Sequence, residues 1–466
     1  MKRKIYTYIK DSLRDKLFRR IVKNAGWLFT GNIAYALLTA CQSVILARML
    51  GLHDFGVLGI MMSIVLVTGS LLSCRETEFL ISYFPRFYKQ SSNEKAANVL
   101  QITYLVSFFS AVVAILLCII GRNLLINLFI KNDSNVCKAL IFWSFSLIFG
   151  KLSLVAENFL KVKNSFVKVA IFRSSERFVA VVVFATIFLT RGKIELPSVA
   201  CILLVASVFR FLLAHYYSLG EFASVHRSWY RVNLSASKEH YREYASFLMH
   251  NNINGTLSVV TRKSDELWIG LLVNPTAAGL YKIALSLSSL ILMPINQFSQ
   301  SVFPEIPKLI AEKSIKLLKR NLKRVSCLAT LYCVPAIMCF ALFGHWLIEG
   351  LYGSEFAASI NPLLWLLIGV SFASVFSWAR LLLLSMGFAN ISMYINLAMA
   401  VLKLILMPIL VSRYADVGAA IVLTTLYMFG TGWSLVISRK KLLDYTQERK
   451  LNYSGPFGNL SLAEQV

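Results

Sequence analysis

The stretch RKSDELWIGLLVNPTAAGLYKIALSL, residues 262–287, interrupts a long apolar run at Asn274 and Pro275 and then resumes it. Asn274, Pro275 and Gly279 are turn formers between two apolar runs, each about long enough to cross a bilayer. The pattern therefore predicts a membrane helix, a tight external turn and a second membrane helix. Four charged residues precede the turn: Arg262, Lys263, Asp265 and Glu266. An ionisable group in hydrocarbon costs roughly 2.5–3.5 kcal/mol, so these side chains are expected to face a water-filled or protein-lined interior.

The whole chain has the composition of a polytopic membrane protein. Its 466 residues are 57% hydrophobic and only 15% charged, and the mean hydropathy is +0.64; these values are unlike those of globular domains. A net charge of +25 would suggest nucleic-acid binding in a soluble protein. Here the basic residues collect in short segments between apolar runs, which is the positive-inside pattern of membrane proteins. We therefore expect no nucleic-acid partner.

The eight cysteines do not predict a metal site or a disulfide framework. Nearly all of them lie inside apolar runs, and no C-x-x-C pair occurs. Such cysteines are typical of small buried hydrophobic side chains. We expect no metal and no cofactor.

The apolar runs predict an all-α membrane protein with about twelve transmembrane helices in two six-helix bundles. The predicted spans are, approximately, 26–49, 55–84, 99–121, 139–158, 169–190, 197–218, 246–272, 278–303, 326–348, 360–385, 391–412 and 416–437. A basic N-terminal arm, residues 1–24, precedes an N-terminal lobe, 25–218. A linker, 219–245, leads to a C-terminal lobe, 246–437, and a tail, 438–466, ends the chain.

The distribution of basic residues predicts the orientation of these helices. The N-terminal arm contains nine Lys and Arg, and the connection at 303–325 contains seven. The opposite loops at 273–277 and 349–359 contain none. Because cytoplasmic loops carry the excess of Lys and Arg, both termini, the linker and the tail are expected to be cytoplasmic.

A weak internal repeat accompanies the two predicted lobes. Residues 46–64 align with residues 269–287 so that Gly56 corresponds to Gly279. Each copy would be the first hairpin of a six-span half, as in transporters built from repeated halves.

Basic side chains inside the predicted spans are the candidate substrate-binding residues. At about 3 kcal/mol each in lipid, most of them must face inward. Lys151, Arg210 and Lys403 lie near the middle of their spans, where a long side chain cannot reach the interface. Arg173 and Arg177 share one helix face one turn apart. The candidates are Lys151, Arg173, Arg177, Arg210, Arg262 and Lys403.

Three further residues are candidates for ion coupling or for an ion pair. Asp265 and Lys282 lie at similar depths near the outer ends of adjacent predicted helices, so an interhelical ion pair is one interpretation and a proton or cation site is another. Glu176 lies beside Arg173 and Arg177. For these two arginines, a local ion pair or snorkelling is therefore the alternative to a binding role. An inward-facing basic excess suits an anionic substrate, and phosphate or diphosphate is the obvious anion.

Several segments resemble one known family over nearly the whole chain. They are ILARMLGLHDFGVLGI (45–60), RKSDELWIGLLVNPTAAGLYKIALSLSSLIL (262–292), QFSQSVFPEIPKL (297–309), LYGSEFAASINPLL (351–364) and YADVGAAIVLTTLY (414–427). In their order and spacing they are similar to the polysaccharide-transporter family, the Wzx-type O-antigen flippases. Its superfamily also contains the multidrug MATE exporters and the lipid II flippases.

The resemblance implies a MATE-like pair of bundles in a V around a central cavity, related by a pseudo-twofold axis and working by alternating access. It implies movement of an undecaprenyl-diphosphate-linked oligosaccharide, for O-antigen or a related surface polysaccharide, to the outer leaflet of a bacterial cytoplasmic (inner) membrane. Membrane lipid, H⁺ or Na⁺ as the coupling ion, a polysaccharide polymerase and glycosyltransferases are the other candidate partners. The charged run Arg75-Glu76-Thr77-Glu78 departs from the small or apolar residues that relatives often have there.

Other functions fit the sequence less well. A MATE-like ion-coupled antiporter for drugs or small molecules would prefer an acidic cavity, whereas the basic excess here argues for an anion. A lipid II flippase would be expected to have two further helices. A membrane-embedded glycosyltransferase, ligase or polymerase would need a sizeable external loop with catalytic Asp, Glu or His. The predicted external loops are short, so the chain is not expected to be an enzyme.

Overall fold

Apolar segments in a bilayer must satisfy their backbone hydrogen bonds internally, and the helix does this within one segment. The computed structural model describes residues 16–73, 75–90, 92–130, 134–225, 229–231, 238–295, 306, 309–310, 314–386 and 388–453. The elements formed by these residues are α-helices and short 3₁₀ turns, with no strand among them. Seven of the described segments are long and apolar enough to cross a membrane. The predicted all-α class is confirmed.

The helices of the first half follow the predicted spans closely. They are α1 Lys16–Leu71, α2 Glu76–Lys89, α3 Asn93–Ile120, α4 Arg122–Phe129, α5 Ser134–Val162, α6 Phe166–Arg191 and α7 Leu196–Val225. Gly51 divides α1 into two helices, with φ 75° and ψ 172°. This backbone conformation is open to glycine and closed to most other residues, so Gly51 places the turn between the first two predicted spans.

The second half begins after a 3₁₀ turn at Trp229–Arg231. Its helices are α8 Tyr241–Arg262, α9 Asp265–Leu272, α10 Pro275–Ile291, α11 Ile315–Tyr352, α12 Ile360–Val375, α13 Trp378–Ser385 and α14 Ala389–Tyr453. A second 3₁₀ turn, Ser354–Ser359, separates α11 from α12. α14 changes direction at Ala415, where φ is 49° and ψ is −126°. Residues 1–15 of the predicted arm lie outside the described residues, and so does part of the predicted linker.

The span predicted at 360–385 is divided between α12 and α13, and two further predicted spans are interrupted where charged residues begin a new helix. The span predicted at 55–84 is divided between α1 and α2, and the span predicted at 246–272 between α8 and α9. In each case the new helix has two acidic residues in its first turn: Glu76 and Glu78 in α2, and Asp265 and Glu266 in α9. Carboxylates are favourable next to the positive end of a helix dipole, so these residues favour a fresh start of the helix.

The chain forms two compact units. Unit 1 comprises Met1–Ser286 and Trp346–Ser359, and unit 2 comprises Leu287–His345 and Ile360–Val466. The core of unit 1 is rich in aromatic residues, among them Phe79, Phe159 and Phe222, which are fully buried. The lobe boundaries expected from the sequence, with a linker at 219–245, stay a prediction.

The short segment 346–359 is held in unit 1 by two contacts with α1. The Arg48 guanidinium donates to the carbonyl oxygens of Gly350 and Leu351, at 2.7 Å from Nε to the Leu351 oxygen. The ring of Phe55 meets that of Phe356 edge to face, with the centroids 5.9 Å apart. A cation on the last carbonyls of a helix also complements its dipole.

The two glycines that the repeat aligns are in contact. A Cβ built at Gly279 would lie 3.3 Å from the Gly56 Cα and 2.8 Å from the Leu52 carbonyl oxygen. A Cβ at Gly56 would lie 1.8 Å from the Pro275 carbonyl oxygen. The close approach joins α1 to α10 within unit 1, and the internal repeat stays a prediction. Small residues let the backbones of α1 and α10 approach this closely.

Gly56→Ala is expected to destabilise the protein by about 1–3 kcal/mol, because the new methyl group meets backbone atoms that cannot rotate away. The thermal-unfolding midpoint of the purified protein in detergent measures this effect. Gly220→Ala is the matched control, because Gly220 lies within α7 and a Cβ there meets nothing within 4 Å. If both variants unfold at the same temperature as the native protein, the close approach at Gly56 is absent.

Candidate functional site

Two arginines of α6 and three polar side chains of α1 form one cluster of contacts in unit 1. Arg173 Nη1 donates to Asn32 Oδ1 at 2.9 Å. Arg177 Nη1 donates to Gln42 Oε1 at 2.9 Å, and its Nε and Nη2 lie 3.4 Å and 3.3 Å from the Tyr35 hydroxyl. Both guanidinium groups also lie over the Tyr35 ring, with the Cζ of Arg173 5.4 Å and the Cζ of Arg177 5.5 Å from its centroid.

Neither arginine makes a close ion pair within the described residues, although Glu157 attracts Arg173 and Glu176 attracts Arg177 from a greater distance. Within the described residues, no carboxylate oxygen lies within 4.0 Å of the guanidinium of Arg173 or Arg177. Both side chains are partly exposed. A guanidinium has five N–H donors, and among the described residues Arg173 has one hydrogen-bonded acceptor, Asn32. The pair therefore keeps its positive charge and has donors available for an anion.

Lys282 of α10 brings a third positive charge to the same part of unit 1. Its ammonium lies 5.2 Å from the centroid of the Phe55 ring and 3.5 Å from the Met62 sulfur. A Cβ built at Gly59 would lie 3.3 Å from Lys282 Nζ and 3.0 Å from Glu266 Oε2, so the missing side chain makes room for both groups. The Lys282 ammonium therefore faces Glu266 across Gly59.

The neighbouring carboxylates Asp265 and Glu266 make different contacts, and the expected ion pair between Asp265 and Lys282 stays a prediction. Glu266 is the carboxylate that attracts Lys282, and it also accepts a hydrogen bond of 2.9 Å from the Ser63 hydroxyl. Asp265 is buried and accepts a hydrogen bond of 3.0 Å from the Tyr281 hydroxyl. Successive residues of a helix point about 100° apart, so neighbouring carboxylates at the start of α9 face different partners.

Arg210 lies in a charge-balanced network between α5, α6 and α7. Its Nη1 lies 3.0 Å from Glu176 Oε2 and its Nη2 3.2 Å from Glu157 Oε2. Lys161 completes the network at 2.6 Å from Glu157 Oε1. The side chains of Arg210, Glu157 and Glu176 are 15%, 4% and 12% exposed. Two positive and two negative charges compensate each other here, so the network is well suited to holding three helices together.

The remaining candidates lie elsewhere. Lys151 of α5 is partly exposed and donates to Ser110 Oγ on α3 at 2.8 Å. Arg262 is exposed at the last residue of α8. Lys403 belongs to unit 2, where its side chain is fully buried within α14.

We define the cationic cluster as Arg173, Arg177 and Lys282. Arg177 is close enough to Lys282 for their positive charges to repel each other. Repulsion between like charges in a partly dry site is relieved when an anion binds among them. Side chains of these types can contact a polyvalent anion, with arginine as a bidentate donor and lysine as a point charge.

The polar residues of α1 around the cluster were not selected from the sequence. Asn32, Tyr35 and Gln42 are three and seven residues apart, a spacing that puts them on one helix face. A polar stripe of this kind on an otherwise apolar first span was the available signal.

Comparisons with known proteins agree on the class. A family model described as a polysaccharide biosynthesis protein matches residues 45–361. The inner membrane protein YghQ of Escherichia coli strain K12 is 21% identical over 303 residues, which are 65% of this chain and 84% of that protein.

Two solved structures share the fold over most of both chains. An inward-facing multidrug resistance MATE family transporter of the MOP superfamily superposes with a TM-score of 0.70 at 12% identity, covering 89% of this chain and 96% of that one. The lipid II flippase MurJ, in an inward closed conformation, gives a TM-score of 0.69 at 15% identity and covers 91% of each chain. At such low identity the likeness shows the fold, an all-α membrane fold.

Proposed function

The chain belongs to the polysaccharide biosynthesis protein family, and from that premise we propose that it is a flippase for a lipid-linked oligosaccharide. The proposed substrate is an undecaprenyl-diphosphate-linked repeat unit of O-antigen or a related surface polysaccharide. The protein carries it from the inner to the outer leaflet of the bacterial cytoplasmic membrane. It does so by alternating access, without catalysing a reaction, and with both termini in the cytoplasm.

The observation that supports this proposal is that, among the described residues, the two arginines of the cationic cluster have no carboxylate in direct contact. Arg210 shows how this chain treats a membrane arginine with a structural role, because two carboxylates neutralise it. Arg173 and Arg177 have instead the neutral partners Asn32, Tyr35 and Gln42. An ionised group costs several kcal/mol in hydrocarbon, so positive charge without a counter-ion is stable there when a negatively charged ligand completes it.

A diphosphate diester supplies the missing charge, and the surrounding side chains suit the rest of the headgroup. The side-chain amides of Asn32 and Gln42 and the Tyr35 hydroxyl can form hydrogen bonds with sugar hydroxyls. The arginines would bind the phosphate groups. Lys282 and Glu266 provide one positive and one negative charge whose balance changes when an anion enters. We therefore keep Asp265 and Lys282 as candidates for H⁺ or Na⁺ coupling, with Glu266 added, and we assign Glu176 to the structural network.

The proposal is tested by transport in proteoliposomes that contain the full-length protein. A fluorescently tagged prenyl-diphosphate oligosaccharide is placed in one leaflet, and its appearance in the other is followed by quenching from outside. The native protein is expected to move this lipid well above protein-free liposomes and to leave an encapsulated cationic dye in place. If it exports the dye under an imposed proton or sodium gradient and leaves the diphosphate lipid where it was, it is an antiporter.

A further inference from the structure

A cavity of about 510 Å³ lies between α11, α13 and α14 of unit 2, and none of the candidate residues described above lines it. Two lysines of α11, Lys319 and Lys323, and one arginine of α14, Arg439, line it. All three are exposed, and the lysines are one helical turn apart on the same face. The volume falls within the range of about 300–1,000 Å³ that is typical of small-molecule sites.

Among the described residues that line the walls of this cavity, the three charged side chains are all positive. The helix segments that form the walls, residues 315–345, 378–385 and 417–443, contain no Asp or Glu. Near their ends at the cavity, the α11 and α14 segments are rich in Lys and Arg. The positive end of the α11 dipole, at Ile315, adds to the attraction for an anion.

The floor of the cavity is apolar. Leu322, Trp378, Leu382 and Leu442 line it and are buried members of the hydrophobic core of unit 2. The indole Nε1 of Trp378 donates to Ser326 Oγ at 2.8 Å, so its one polar atom is satisfied. The ring then presents an apolar surface beside the cations. A ligand that uses both surfaces must join an anionic group to a hydrocarbon chain.

We propose that this cavity binds an anionic phospholipid of the surrounding membrane. Its phosphate lies on Lys319, Lys323 and Arg439, and the first part of an acyl chain lies on the apolar floor. Basic pockets between membrane helices on the cytoplasmic side are suited to such headgroups. The basic connection before α11 has the charge that marks a cytoplasmic loop, so the cavity lies at headgroup depth in the inner leaflet.

A phospholipid fits this cavity better than the proposed transport substrate does. The space accommodates one phosphodiester and the beginning of an acyl chain, whereas a diphosphate with several sugars is larger. A free phosphate would use the cations and leave the floor of Leu382 and Leu442 uncovered. The phospholipid uses both.

The test measures lipid binding to the full-length protein by native mass spectrometry. Dioleoyl phosphatidylglycerol is compared with dioleoyl phosphatidylcholine, which has the same chains and no net charge. The native protein is expected to bind the anionic lipid at least about 10-fold more tightly. Lys319→Gln/Lys323→Gln/Arg439→Gln is expected to lose this preference. The control Lys316→Gln/Arg320→Gln/Arg324→Gln removes three exposed charges of the same helix outside the cavity and should keep it.

Results of three kinds would overturn the assignment. The first is equal binding of the two phospholipids, or an equal loss of preference in both triple variants. The second is binding of glycerophosphoglycerol, which lacks acyl chains, as tightly as phosphatidylglycerol, which would indicate a free-phosphate site. The third is displacement of phosphatidylglycerol from the native protein, but not from the cavity variant, by a prenyl-diphosphate lipid at 10-fold lower concentration. That result would make the cavity part of the substrate path.

Discussion

Replacing Arg173 and Arg177 together by glutamine is expected to lower the transport rate of the diphosphate lipid about 100-fold. A hydrogen bond to a charged group contributes about 1.5–3 kcal/mol, and 1.4 kcal/mol corresponds to a factor of ten. Losing one such interaction from each arginine, at the lower end of this range, removes about 3 kcal/mol of binding to the diphosphate. Glutamine keeps a side chain that can hydrogen bond to Asn32 and Tyr35, so the contacts with α1 are disturbed little.

The rate is measured in the proteoliposome assay at a substrate concentration below saturation. Arg191→Gln is the matched control, because Arg191 lies on the same helix, is exposed at its last turn and has no place in the cluster. The transport rate of Arg173→Lys/Arg177→Lys is expected to be about 10-fold below the native rate and above that of the glutamine double variant. Lysine keeps the charge but loses the bidentate geometry. A native transport rate in the glutamine double variant would contradict a role of the cationic cluster in transport.

Replacing Arg210 by methionine is expected to destabilise the protein by about 3–5 kcal/mol. The change leaves Glu176 and Glu157 buried, with Lys161 as the remaining cation of the network. Removing one partner of a buried ion pair costs this much because the other charge stays buried without compensation. The thermal-unfolding midpoint and the yield of folded protein in detergent report the loss.

A second variant separates loss of charge balance from loss of packing. Glu157→Gln/Glu176→Gln added to Arg210→Met removes the uncompensated charges and is expected to restore at least half of the lost stability. Lys168→Met serves as a control, because its ion pair with Glu221 is about one-third exposed and should contribute less than about 1 kcal/mol. A triple variant as unstable as Arg210→Met alone would mean that Arg210 acts through packing.

Most of the helical fold was predictable because apolar run length alone determines where a helix can cross a membrane. The divided spans were harder. Interruption of the apolar run at Glu76 and at Asp265 depends on where a helix restarts, and acidic residues in a first turn signal this only when a boundary is already suspected. The turn at Gly51 was equally hard to predict, because a glycine indicates a positive φ only when a helix boundary is already expected there.

The candidate site was less predictable, because depth in the membrane says nothing about partners. Arg210 lies near the middle of its predicted span and was therefore a strong candidate for substrate binding, but Glu157 and Glu176 on two other helices neutralise it. Arg173 and Arg177 lie nearer a helix end, where snorkelling was an alternative to a binding role. The side chains that accept their hydrogen bonds are nevertheless neutral. Whether a membrane arginine is compensated depends on tertiary packing, and a single sequence does not contain that information.

The most direct test of diphosphate recognition by the cationic cluster is equilibrium binding of two ligands to two proteins. The ligands are a short-chain prenyl-diphosphate oligosaccharide and the corresponding monophosphate, and the proteins are the native chain and Arg173→Gln/Arg177→Gln in detergent. The native protein is expected to bind the diphosphate at least about 10-fold more tightly, and the variant to bind both ligands equally. A native protein without this preference, or a variant that keeps it, would contradict diphosphate recognition by the cationic cluster.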